Sequence, residues 1–209
     1  NELKVFLSER NDLKRHLAIS FRVFDDGIGF RYEFPKQANM DSVVITDENT
    51  QFNLTGDHTC WWEPGDWDIY EHLYNTTPFS KIDATKKRNH PNLAQTYIPE
   101  NAVNTPVTMK TNDGVYLSFH EAAVTNYAGI TLKVDTVNYK MQTELVGNNE
   151  GVKVKTQTPF NSPWRTIQIA SKPSDLIESK LILNLNEPNK LGDVSWVKPT
   201  KYVGIWWEM

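Results

Sequence analysis

Hydrophobic and polar positions alternate with a period of two along most of this chain. Leu17, Ile19, Phe21 and Val23 alternate with Ala18, Ser20 and Arg22. Asp25, Asp26 and Gly27 then supply a turn, after which Ile28, Phe30, Tyr32 and Phe34 alternate with Gly29, Arg31 and Glu33. That pattern predicts a β-hairpin whose pairing ends at Pro35. A second hairpin has Val107 and Met109 on one arm and Val115, Leu117 and Phe119 on the other, turned at Asp113 and Gly114. Further short strands read at residues 42–45, 130–134, 141–146 and 152–156, with a turn-rich stretch at 147–151. A bend at 158–163 delivers a strand at 164–170, with Trp164 and Arg165 on opposite faces. Ser174 is placed to cap one short helix, and Leu181, Leu183 and Leu185 read as a closing strand. Residues 1–14 are charged and only loosely periodic, and residues 47–50 read as a polar turn. Many short strands separated by Gly, Asn, Asp and Pro, with hardly any amphipathic helix, predict an all-β antiparallel sandwich.

Two stretches depart from alternation. Residues 61–101 form a long aromatic and acidic excursion carrying Trp61, Trp62, Trp67 and Tyr70. Such rings either stack on sugar faces or pin a loop onto the sandwich. Asp66, Asp68 and Glu71 lack the oxygen count and turn glycine of a calcium loop and read as solvent-facing. Residues 202–207 are apolar on both faces, the pattern of a strand buried on both sides in a parallel sheet or barrel. The expected division is a sandwich over residues 1–197, followed by a linker and the first strand of an α/β domain over 198–209. A chain that opens on Asn1 rather than Met and stops at Met209 is expected to be cut from a longer protein.

Composition narrows the function classes. A chain of 209 residues can bury a substantial core. Its net charge of −4 disfavours a nucleic-acid binder, and the densest basic run, residues 86–88, reads as a solvated patch. Cys60 is the only cysteine, which rules out an intrachain disulfide and a cysteine-built metal site. No apolar run is long enough to span a bilayer. The residue with candidate chemistry is Glu121, at the end of the strand that begins near Val115. A carboxylate there fits two readings, a ligand for a cation or an ordinary solvated side chain.

Five stretches together resemble the N-terminal region of glycoside hydrolase family 97, the bacterial α-glucosidases and α-galactosidases. They are FDDGIGFRYEFP (24–35), YLSFHEAAVTNYAG (116–129), TPFNSPWRTI (158–167), LILNLNEP (181–188) and SWVKPTKYVGIWWEM (195–209), in family order. The resemblance implies a super β-sandwich similar to the galactose mutarotase fold, here without its first strands. It also implies that residues 202–207 open a (β/α)8 catalytic barrel. The family's calcium ion, beside the bound sugar, takes most ligands from barrel carboxylates and one from a sandwich Glu, which the resemblance implies is Glu121. The catalytic carboxylates then lie on the barrel, so this chain has none. The same resemblance implies an α-linked oligosaccharide as substrate and a periplasmic or secreted location. Trp164 and Arg165 lie in a matching stretch that assigns them no catalytic role; Arg165 is expected in a structural ion pair or forked hydrogen bond.

Two alternatives have different consequences. A stand-alone carbohydrate-binding sandwich would use Trp61, Trp62, Trp67 and Tyr70. A mutarotase-like epimerase would need a His and a Glu facing across one sugar, but His120 and Glu121 are strand neighbours that point apart. His58, His72 and His90 remain as loop histidines for that reading.

Overall fold

A computed structural model describes residues 1–87 and 96–204 of the chain. In chain order its strands are β1 (Glu2–Ser8), β2 (His16–Phe24), β3 (Gly27–Phe34), β4 (Ser42–Ile45) and β5 (Gln51–Asn53). β6 (Thr59–Trp62), β7 (Asn75–Pro78), β8 (Ala102–Asn104), β9 (Val107–Lys110) and β10 (Tyr116–Ala122) follow. The series continues with β11 (Ile130–Asp135), β12 (Lys140–Leu145), β13 (Val154–Gln157), β14 (Phe160–Asn161) and β15 (Trp164–Ala170). Two short helices, α1 (Pro173–Glu178) and α2 (Leu181–Leu185), come last. Among the described residues a nine-stranded sheet runs β1-β2-β3-β15-β10-β9-β6-β7, with β14 added beside β3. A four-stranded sheet, β5-β12-β11-β8, packs on it, and β13 pairs β4 separately. Every pairing is antiparallel, as the alternation predicts.

The core fills the space between the two main sheets. Trp62, Met109 and Phe119 from the large sheet meet Phe52, Leu132, Met141 and Leu145 from the small one. Both hairpins form as the alternation indicates, β2 with β3 and β9 with β10. The loosely periodic N-terminus is the edge strand β1, exposed along its whole length. A strand with neither face buried has no reason to alternate, so its sequence carries no signal. The two adjacent tryptophans of the aromatic excursion also belong to a strand, β6, with Trp62 fully buried.

The structure corrects the strand reading of Leu181, Leu183 and Leu185, because these residues form α2. Leu181 and Leu185, four apart, fall on one helical face and pack with Ala122 and Trp164 on the outer side of the large sheet. Leu183 points away and is 73% exposed. Gly29 makes that docking possible, since a Cβ there would come within 2.5 Å of a Leu185 methyl. The predicted neighbouring helix is α1, which starts with Pro173 after Lys172, not at a Ser174 cap.

Register places Glu121 at one end of the large sheet. Met109 faces Cys60 on one side and Leu117 on the other, so β6 and β10 run in step with β9 between them. After Trp62 the chain leaves β6 at the same end of the sheet toward which β10 runs on from Phe119, and there β10 carries Glu121, still paired with β15. Of the residues expected to form a barrel strand, Tyr202, Val203 and Gly204 lie outside any strand, and Tyr202 and Val203 are 88% and 96% exposed. Residues 205–207 lie outside the described residues, as do His90 and Arg88. No described helix is long and apolar enough to cross a membrane.

Candidate functional site

Glu121 lies opposite Arg165 in the register of β10 with β15, with both side chains on the face turned toward the small sheet. Arg165 is fully buried. Its Nε and Nη2 donate to the two oxygens of Glu48 at 2.8 and 2.6 Å, a forked pair that matches guanidinium to carboxylate geometry. The remaining nitrogen, Nη1, donates to Oε2 of Glu121 at 2.7 Å. The backbone N–H of Ile130 donates to Oε1 of Glu121 at 3.0 Å. Glu48 also accepts from the Thr50 and Tyr127 hydroxyls, at 2.8 and 3.3 Å. Residues 47–50 therefore correct the polar-turn reading: Glu48 and Thr50 are 7% and 5% exposed.

The two buried carboxylates share one guanidinium. Burial raises the pKa of Glu121, and the Arg165 charge and the Ile130 N–H only partly oppose it. Burial also works against the Arg165 charge, but the Glu48 hydrogen bonds and both carboxylates outweigh it and hold that pKa above its usual value. Among the described residues each Glu121 oxygen accepts one hydrogen bond, which leaves it a lone pair. A bound cation would use those lone pairs. Among the described residues no three His, Cys, Asp or Glu side chains gather as a metal cage. Calcium takes about six to eight oxygens, so Glu121 fits as one ligand of a set completed elsewhere.

The other candidates take different places. His120 faces away from Glu121 and pairs its Nδ1 with the Thr105 hydroxyl at 3.0 Å. Trp164 is buried, with the guanidinium carbons of Arg22 and Arg31 5.0 and 4.4 Å from its ring centroid. Asp66, expected in solvent, is 5% exposed and accepts from the amides of Asp68 and Ile69 at 2.9 and 3.2 Å. Its second oxygen meets His72 Nε2 at 3.2 Å. Burial alone would raise the Asp66 pKa, but the hydrogen bonds, led by that from Thr96, lower it. Asp68 and Glu71 are exposed as expected. Of the four rings that a stand-alone sugar binder would need, Trp62 is buried and Trp61 stacks on Tyr116, while Trp67 and Tyr70 are exposed.

Glu48 is the site residue that sequence reasoning missed. Its partner Arg165 lies 117 residues away, so no local pattern announces the pair.

Comparison with known proteins supplies what one chain cannot. The model of the glycosyl-hydrolase 97 N-terminal region matches residues 1–188. A retaining α-galactosidase of Bacteroides thetaiotaomicron is 25% identical over 93% of this chain, which spans 31% of that relative's length. A glycoside hydrolase family 97 enzyme of Pseudoalteromonas sp. strain K8, solved in complex with acarbose, is 44% identical over 99% of the chain, with a TM-score of 0.81. Here too the chain spans only 29% of the longer protein. A variant of the same Pseudoalteromonas enzyme was solved in complex with panose. A β-arabinopyranosidase shares the fold alone, at a TM-score of 0.57 and 18% identity. With this family's N-terminal model covering nearly its whole length, the chain belongs to glycoside hydrolase family 97 and is its N-terminal β-sandwich domain.

Proposed function

We propose that this chain is the sandwich part of a calcium-dependent, exo-acting α-glycosidase, an α-glucosidase or α-galactosidase of the periplasm or cell exterior. In that reading residues 198–209 lead into a (β/α)8 barrel that carries the catalytic carboxylates, and Glu121 is a calcium ligand. The observation that carries it is the match of residues 1–188 to the family's N-terminal model, with Glu121 a buried carboxylate that shares the Arg165 guanidinium with Glu48. The acarbose and panose complexes of the Pseudoalteromonas relative support an oligosaccharide substrate.

The chain's own residues then have defined tasks. Glu48 takes two Arg165 nitrogens and fixes the guanidinium plane, and the third nitrogen orients Glu121. The Ile130 N–H holds the other Glu121 oxygen, so the carboxylate is set before any ligand arrives. Calcium bound there would supply positive charge beside the sugar, polarising it for attack. Glycoside hydrolysis also needs a pair of carboxyl groups flanking the scissile bond, and the barrel supplies them in this reading.

The test compares the 209-residue chain with the full-length protein. Calorimetry on the isolated chain is expected to find no calcium site tighter than about millimolar, since one Glu is too few ligands. In the full-length protein, Glu121→Gln is expected to move the calcium dependence of activity about 100-fold toward higher concentration. A micromolar site in the isolated chain, or an unmoved calcium response in the variant, would overturn the assignment.

A further inference from the structure

The segment between β6 and β7 leaves the large sheet at the same end as Glu121, one strand away from β10. It is tied down with unusual density. Asp66 accepts the Asp68 and Ile69 amides and the Thr96 hydroxyl and meets His72, whose ring stacks on Tyr97 with centroids 4.9 Å apart. Asn104 grips the segment from the end of β8: its Oδ1 accepts the Asp66 amide at 2.9 Å, and its Nδ2 donates to the Ile69 carbonyl at 3.1 Å. Asn104 pairs in turn with Thr131, next to the Ile130 whose N–H holds Glu121. Gly65 lets the segment lie against β8, because a Cβ there would be 3.0 Å from the Ala102 backbone.

This buried polar hub presents rings outward. Trp67 and Tyr70 are 43% and 79% exposed, and Asp68 and Glu71, their neighbours in the sequence, are exposed too. The mixture suits a sugar better than a protein cover. Aromatic faces take the C–H side of a pyranose, and neighbouring carboxylates accept its hydroxyls. The core of a protein–protein interface is depleted in Asp and Glu, and covering these two would bury unpaired charge. A loop already ordered by its hydrogen bonds also loses little freedom when a ligand binds.

We infer that Trp67 and Tyr70 form a stacking subsite for a pyranose unit of a neutral α-linked oligosaccharide, a unit other than the one beside Glu121. This inference rests on the α-glycosidase reading and adds to it a determinant of substrate length. Binding energy gathered on a further unit of the chain favours long substrates and leaves a monoglycoside unaffected.

The experiment uses the full-length protein and the variants Trp67→Ala and Tyr70→Ala, neither of which touches Glu121 or its ion pair. Steady-state kinetics would compare an aryl α-monoglycoside with α-linked oligosaccharides of two to five units. KM for the longer oligosaccharides is expected to rise about 10-fold, with the monoglycoside constants within about twofold of wild type. Equal loss on both substrates, or no loss on either, overturns the subsite. If the wild-type protein cleaves no α-glycoside, the glycosidase reading fails. The subsite is then judged by saturation-transfer NMR with maltotetraose, where a signal lost in Trp67→Ala supports it and no signal in wild type overturns it.

Discussion

Arg165 shows how one residue decides the behaviour of another. It is fully buried, commits two nitrogens to Glu48 and has one left for Glu121. Glu121 is thus held by a shared charge, and burial raises its pKa in spite of it. A group with a raised folded-state pKa binds its proton more readily in the folded chain. Its contribution to stability is present below the ordinary glutamate range and is lost as pH climbs through the raised value. For the isolated chain without calcium, Glu121→Gln is therefore expected to raise Tm relative to wild type at pH 7, and the difference should vanish by about pH 4. Thermal melts across that range check it; a gap that widens on acidification would show that the charged form is the stabilising one. Family resemblance implied a role for Glu121, whereas its burial beside Arg165 is a finding of the tertiary structure. Glu48 was hidden because its environment comes from a contact 117 residues away in sequence.

At the scale of elements, the two hairpins were legible because each has one face in the core and one toward polar surroundings. The edge strand β1 was not, because it buries nothing. α2 was misread because leucines two apart satisfy a strand pattern while leucines four apart satisfy a helix. The choice falls to the surface that receives them: Gly29 leaves a depression that Leu185 fills. Gly29→Val should lift α2 from the sheet, with a destabilisation of about 1–3 kcal/mol by denaturant melts. Because the large sheet itself remains paired, the far-UV β signal should persist below the transition. An unchanged midpoint would mean that α2 contributes nothing to the cooperative fold.

The whole molecule is a sandwich with apolar surface left open on two sides. β1 exposes Leu3 and Phe6 at 60% and 79%, and the C-terminal segment exposes Trp196 and Val203 at 70% and 96%. An exposed, apolar edge strand is a template for pairing with another chain. The isolated chain is expected to self-associate at high concentration, and Phe6→Lys should shift light scattering toward monomer; no shift would place the association elsewhere. By itself the sequence determined the all-β class, most strand positions and the identity of the family, since alternation and ordered motifs are local properties of the chain. Only the tertiary structure decided that Glu48 and Asp66 are buried hubs, and that the aromatic loop and Glu121 share one end of the sheet. Those facts depend on which distant strands lie side by side, and pairing across long separations leaves no trace in any short stretch of residues.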